Sequence, residues 1–488
     1  MTSRSAPQAP RRAEPTPPLI PAPTPPPDGA ASRATHRSSP HQSPPHLQGL
    51  RGRHVLVVGP DDAPAGGGTS TPVTPYTTAV AEHLAPTAAS VTVLTTLPRR
   101  PDGRVPAAYR RGLRTSEPGW MSPEQPRVVR LRRYSPRRAA GPGSVRQALG
   151  ELTFLANAVS AGRRVPADVV IGVSPAGSAA AAAWLARRAG APLITVVPLT
   201  AARTTAAADG DGADAAPGRL RGARRRLRRL AARVCPALER YALRHSAQVA
   251  AGSDTFRDTL LGAGVEAGRL HLLPAWSPVE PTTLSRVSAR RELGWEPGAF
   301  LAVHAGPLGH LQDGVSIVEA ARRLAGTHDG RWVEVVLVGE GPRRAALEQL
   351  AFGVPGVRFV DQADDDALPL VLAAADVLLV AETWPGGAAT ASGQLAGYLA
   401  AGRPVVAATW PGSPTGGELR RAGSGIVVPP GDPAALARAL RELCAAGGRR
   451  AAMGRAAVRY ARAHLGRDAS LRRLETIVDA ALAESRSR

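Results

Sequence analysis

Lysine is absent from the sequence, so all 61 basic side chains are arginines, set against 39 acidic residues for a formal net charge of +22. That excess predicts attraction to anionic surfaces: nucleic acid, acidic lipid or phosphorylated substrates. Nucleic acid is the weakest of the three. The sequence has no zinc-ligand spacing, no RNP-type aromatic motif and no recognisable DNA-reading module, so no nucleic-acid partner is expected. Aromatic residues make up only 4% of the chain, while Ala, Gly, Pro and Arg are heavily used. This is the composition of a GC-rich genome, and it lowers the weight of any single Ala or Arg. The two cysteines, Cys235 and Cys444, are far apart and form no pair motif. On that count neither a disulfide scaffold nor a zinc site is expected, and a reducing cytosol fits. Long hydrophobic runs are missing too. The most apolar long window, Leu368–Val380, is too short to span a bilayer and contains Asp376. No apolar stretch follows the first arginines, so no signal peptide is expected.

A length of 488 residues suits two to four domains with sizeable cores. No repeat of solenoid length is present. Residues 1–50 hold 13 prolines with few large apolar side chains. Such a stretch cannot bury enough surface to offset its ordering entropy, and it reads as a disordered tail with local polyproline II. Beyond it, short apolar runs alternate with helical patterns, the signature of a parallel sheet with crossover helices. In the first half the strands are expected at His54–Val58, Val91–Thr95, Val128–Leu131, Asp168–Val173, Pro192–Val197, Gln248–Ala251 and Leu270–Leu273. Gly218–His245 reads as a strongly basic helix, with eight arginines between Arg219 and Arg233. Leu220, Leu227, Leu230, Val234, Leu238 and Tyr241 give it one apolar stripe, and Pro236 is expected to bend or split it. Two uses fit this helix: a surface helix packed by its stripe, or an arginine face resting on anionic lipid.

The second half centres on residues 375–433. Two strands, Val377–Val380 and Pro404–Ala408, are each followed by a loop of small residues, Gly386–Ala391 and Gly412–Gly417, and then by a helix start. Ordinary βα turns look like this. So do anion sites, because free backbone N–H groups and the helix dipole converge at strand C-terminal ends. Upstream, the strand Phe300–Val303 leads to Gly306-Pro307-Leu308-Gly309-His310-Leu311-Gln312, and Val333–Val338 leads to Gly339-Glu340-Gly341-Pro342. Glycines in such loops let backbone N–H groups face a diphosphate.

These motifs resemble the donor-binding half of a glycosyltransferase family 4 enzyme, closest to the subgroup of colanic-acid and other exopolysaccharide assembly. That subgroup carries Pro-Ser-Lys-Leu, a Tyr, then Ala-x-Gly-Arg-Pro-Val. This chain carries Ser392-Gly393-Gln394-Leu395, Tyr398, then Ala400-Ala401-Gly402-Arg403-Pro404-Val405. In the first half, Tyr76-Thr77, Asp168–Pro175 and Gly264-Val265 with Leu273-Pro274-Ala275-Trp276 are similar to the family's acceptor-domain and hinge motifs.

The resemblance spans roughly 53–485. It implies an α/β fold of the GT-B type: two Rossmann-like domains facing a cleft, with a C-terminal helix crossing back to the first. The implied divisions are a tail at 1–50, an acceptor domain at 51–276, a nucleotide-sugar domain at 285–465 and the crossing helix at 466–488. The implied reaction moves a hexosyl group from a nucleotide sugar to a lipid-linked or saccharide acceptor. It proceeds with retention, without metal and with no cofactor beyond the donor. The implied place is the cytoplasm, at the inner face of the cell membrane if the basic segment 219–233 meets anionic lipid. Donor contacts carried over are Gly306, Gly309, His310, Gln312, Gly341, Arg343, Ser392, Gly393, Gln394 and Glu418. Thr74, Tyr76 and Thr77 fall on the acceptor side, and no catalytic residue is assigned.

The chain also departs from the family. Pro72 and Pro307 replace a Gly and an Asn, Gln394 replaces a Lys, and Leu199–Ala202 holds none of the family's acids. Ala389 and Gly397 stand where many members place two glutamates. No Asp-x-Asp stands at a strand end: Asp209-Gly-Asp211 lies in a loose loop and Asp364–Asp366 opens a helix. Alternatives therefore stay open, among them a degenerate GT-B protein that binds without turnover and a sugar-nucleotide epimerase.

Overall fold

The structure, a computed structural model, describes residues 49–60, 74–97, 105, 114–116, 127–132, 145–197, 219–277, 281–309, 312–324, 327–328, 331–361, 367–383, 391–410 and 412–487. Residues 43–488 form one compact unit, in which two sheets have separate cores. The first sheet contains β1 (His54–Val58), β2 (Ser90–Thr96), β3 (Arg114–Ser116), β4 (Arg127–Leu131), β5 (Val169–Val173), β6 (Leu193–Val197), β7 (Gln248–Ala251) and β8 (Leu270–Leu272). Its order is β3-β4-β2-β1-β5-β6-β7-β8, parallel throughout except for β3 against β4. The sequence Arg-Thr-Ser of β3 has no apolar residue, which is why hydrophobic patterning misses it. Strands β5 and β6 are buried at every position, as expected for a sheet covered on both faces. The covering helices are α1 (Thr74–Leu84), α2 (Val145–Gly162), α3 (Ala176–Ala189), α4 (Arg219–His245) and α5 (Asp254–Gly262).

The second sheet contains β9 (Phe300–Ala305), β10 (Thr327–His328), β11 (Arg331–Val338), β12 (Val357–Val360), β13 (Val377–Ala381), β14 (Val405–Ala408) and β15 (Gly425–Val428). It runs β10-β11-β9-β13-β14-β15, with β12 also paired to β11 and β10 the antiparallel edge. Helices α6 (Arg286–Glu292), α7 (Gly314–Arg323), α8 (Arg344–Ala351), α9 (Ala367–Ala374), α10 (Ala391–Ala400), α11 (Pro414–Ala422), α12 (Pro433–Ala445) and α13 (Gly447–His464) surround it. Side-chain caps set several of these starts: Asp313 accepts from the Ser316 N–H, Ser413 from Gly416 and Asp432 from Ala435. Beneath the sheet, Arg290 and Asp376 form a buried ion pair at 2.6 Å. Arg290 also donates to the carbonyls of Ala374, Pro297 and Ala299, and Asp376 accepts the Leu301 N–H, so neither charge is left unsatisfied.

The last helix, α14 (Arg467–Ser487), crosses back to the first sheet. Leu474, Ile477, Val478 and Ala481 join Val55, Val57 and Ile171 in one core. His83 meets Glu475 at 2.7 Å, and Gln248 donates to Glu484 at 3.2 Å.

Three expectations need correction. The expected tail reaches too far: Gly49 and Leu50 form a short turn, and Leu50 is fully buried in the core shared with α14, while residues 1–48 of that tail lie outside the described residues. An aliphatic residue at the end of a proline-rich stretch has no periodic neighbours to reveal it. Helix α4 runs unbroken through Pro236, neither split nor ended there. Its buried face is also not the expected stripe. Ala231, Cys235 and Ala242 are buried, while Leu230 is 63% exposed. Its neighbour α3 presents alanines, Ala179 to Ala183, all buried. Small side chains on both helices allow closer approach than leucines would, and that contact fixes the rotation of α4. The side chains of 219–229, Leu220 and Leu227 of the stripe among them, lie outside the described residues, so the arginine face itself is not placed.

Candidate functional site

The C-terminal ends of β9, β11, β13 and β14 converge on one edge of the second sheet, where the loops and the starts of α10 and α11 also meet. The ladder between β9 and β11 continues past the strands. Gly306 donates to the Val338 carbonyl at 2.9 Å, Leu308 to Glu340 at 2.9 Å, and Arg343 to Leu308 at 3.1 Å. The glycines of the second loop make that approach. A Cβ on Gly339 would stand 2.0 Å from the Gly306 oxygen, and one on Gly341 would stand 2.2 Å from the Leu308 oxygen. Gly341, carried over as a donor contact, therefore serves first to press the two loops together. Gly309 donates its N–H to the Gln312 side-chain oxygen at 3.3 Å, so Gln312 braces the first loop from within. Arg343 is half-buried at the start of α8. Its neighbour Arg344 is tied to Glu340, Glu348 and Asp361 and to the Gly339 carbonyl. Arg343 itself has no side-chain hydrogen bond or ion pair among the described residues, which leaves its charge available to a ligand.

Ser392 and Gly393 occupy the first turn of α10, with no acid in that turn. Gln394 follows them and turns inward, donating to the Ala305 carbonyl at 2.9 Å and to the Tyr398 hydroxyl at 2.8 Å. Tyr398 is buried, accepts the Ala305 N–H at 2.8 Å, and has its hydroxyl proton held tightly by burial. The side chains of Ser392, Thr74 and Tyr76, and all of His310, lie outside the described residues, as do Asp209, Asp211 and Asp364–Asp366. Gly397 faces the linker, where an added Cβ would stand 3.5 Å from the Ser277 hydroxyl.

Glu418 is engaged by partners of its own. Its carboxylate accepts the Tyr460 hydroxyl at 2.7 Å and pairs with Arg421, which reaches Asp254 of α5 at 3.2 Å. An i, i+3 arginine captures the acid, and the pair then links the two sheets' domains. Thr77 is likewise a strut. It is fully buried and donates to the Pro60 carbonyl at 2.9 Å, holding α1 to the loop after β1.

Two acids escaped the sequence reading. Glu382, just past β13, is buried and accepts hydrogen bonds from the Thr409 and Thr415 hydroxyls, the latter at 2.5 Å. Burial raises its pKa above the ordinary carboxylate value, while the two hydroxyls pull it down. It joins the end of β13 to the start of α11. An acid directly after an apolar run was the available signal. Glu151, buried on α2, accepts the Gly177 N–H at 2.7 Å at the start of α3. It lines a small recess with Thr96, the last residue of β2, and with Pro60 and Pro175, which follow β1 and β5. No group of metal-ligating side chains occurs among the described residues.

Residues 72–276 match the family described as glycosyl transferase 4-like domain, and residues 300–446 match glycosyl transferases group 1. The chain is built as a GT-B glycosyltransferase. Solved structures agree on the fold. HepE of Anabaena, in complex with UDP and glucose, aligns with a TM-score of 0.60 at 16% identity over 87% of this chain and 99% of its own. Sucrose-phosphate synthase from Thermosynechococcus elongatus gives 0.62 at 16% identity over 87% and 98%. WaaG, a glycosyltransferase involved in lipopolysaccharide biosynthesis, gives 0.58 at 18% identity over 86% and 98%. A search of curated proteins found no match. No helix of the described residues is long and apolar enough to cross a membrane.

Proposed function

We propose that this glycosyltransferase moves a hexosyl group from a nucleoside-diphosphate sugar to a hydroxyl of a lipid-linked or saccharide acceptor in cell-surface polysaccharide assembly. The supporting observation is the edge where the Gly306–Gly309 loop, the start of α10 at Ser392–Gly393 and Arg343, unpaired among the described residues, meet. Helix N-termini and a guanidinium together suit a diphosphate. HepE has been solved with UDP and with UDP-glucose, which makes a uracil nucleotide the first donor to try. As the sugar–oxygen bond breaks, negative charge grows on the leaving diphosphate. Arg343 and the N–H groups of α10 stabilise it, so no cation is required in this scheme. Retention of configuration belongs to the same proposal. So do a cytoplasmic location and a peripheral hold on anionic lipid through 219–233. Glu151 faces the proposed acceptor side from the first sheet.

A second reading is favoured by Gln394. A neutral amide tied to Ala305 and Tyr398 cannot neutralise developing charge, which fits binding without turnover. A panel of nucleotide sugars, assayed for transfer to lipid-linked and saccharide acceptors, separates the two. Transfer establishes the enzyme; tight binding with no transfer or hydrolysis across the panel supports the second reading.

A further inference from the structure

A cavity of about 760 Å³ lies away from the proposed donor edge. Asp376 and Arg403 in its wall precede β13 and β14, so it opens at the N-terminal ends of the strands, opposite the loops described above. Its lining carries five arginines, Arg286, Arg403, Arg450, Arg455 and Arg459, and one acid, Asp376. That acid is already neutralised by Arg290 and Arg286. Arg403 donates to the Ala373 carbonyl at 2.6 Å, but its Nε is buried with no partner. Burial and the charge of Arg286 both disfavour its cationic form. Arg450 donates to the Cys444 carbonyl at 2.7 Å at the start of α13, where no side chain caps the helix. Arg455 and Arg459 have no hydrogen bond or ion pair among the described residues. Like charges gathered around a concave space repel one another unless an anion enters.

We propose that this cavity is a second binding site, for a small ligand carrying adjacent phosphates. One phosphate engages two or three guanidiniums, so the four that are not paired with Asp376 call for more than one. The volume falls within the range of small-molecule pockets, about 300–1,000 Å³. Pro281 and Leu284 of the interdomain linker line the same space, so the ligand sits against the connection between the two domains.

The test is calorimetric titration of inorganic tripolyphosphate into the full chain, its Arg455→Ala/Arg459→Ala variant and an Arg187→Ala/Arg188→Ala control. Both pairs are on exposed helix faces, and the control removes equal charge from the first domain. Loss of two charge-assisted contacts is expected to weaken binding at least about tenfold in the first variant, with the control unchanged. Orthophosphate is expected to bind the parent at least about tenfold more weakly than tripolyphosphate. Equal weakening in both variants would show attraction by net charge alone and overturn the site. Unchanged binding in the Arg455/Arg459 variant would do the same. Orthophosphate binding as tightly as tripolyphosphate would overturn the ligand class. Binding of phosphatidylcholine–phosphatidylglycerol vesicles with none of tripolyphosphate would replace the proposal with a lipid surface.

Discussion

Gln394 donates its side-chain amide to the carbonyl of Ala305, 2.9 Å away, across the start of α10 and the end of β9. The same amide reaches the buried Tyr398 hydroxyl. Gln394→Ala leaves that hydroxyl without one of its partners and is expected to cost about 1 kcal/mol of stability. Gln394→Lys puts a cation at the proposed diphosphate site and is expected to tighten UDP-glucose binding by about tenfold. Calorimetry and thermal melting check the two effects. An affinity unchanged by the lysine would place the diphosphate elsewhere.

Leu50 is fully buried and packs in the core shared with α14, so the tail and the fold can be separated at that point. Removing residues 1–48 is expected to leave the melting temperature unchanged. Leu50→Ala is expected to destabilise by about 2–4 kcal/mol, through lost burial and a cavity. A tail deletion that lowers the melting temperature as much as Leu50→Ala would contradict this division.

Two glycines in the paired loops should respond differently to the same change. A Cβ on Gly339 meets the Gly306 carbonyl at 2.0 Å, at a φ of +148°. A Cβ on Gly306 meets only the end of the Gln394 side chain, at 2.7 Å, which can move. Gly339→Ala is expected to cost roughly 2–3 kcal/mol, and Gly306→Ala clearly less. Denaturant melts that rank them the other way would mean the loops are not paired as described.

Glu382 gives a pH signature. Burial raises its folded pKa above the ordinary value of 4.5. In the window between the two values the folded state holds a proton that the unfolded state has lost. Its contribution is therefore complete below 4.5 and disappears as pH rises through the raised value. Glu382→Gln keeps the shape without the charge. The melting temperature of the variant, relative to the parent, is expected to rise with pH across this window. A flat difference would show that Glu382 titrates normally.

Much of the fold was legible because buried parallel strands are short apolar runs, and β1 and β7 fall on the residues their patterns mark. What sequence could not show depends on the neighbour. The face of α4 was decided by the alanines of α3, not by its own leucines. Glu418 looks like a free acid until Tyr460, far along the chain, takes one of its oxygens. Gly341 looks like a ligand contact until Leu308 is seen against it.

The central claim is that a nucleotide-sugar diphosphate sits between Arg343, the Gly306–Gly309 loop and the start of α10. The most direct measurement is calorimetric titration of UDP-glucose into the parent, Arg343→Ala and Gly393→Val. The account predicts saturable binding by the parent, weakened at least about tenfold in each variant, through a lost guanidinium in one and a blocked helix start in the other. Parent-like affinity in both folded variants would contradict it.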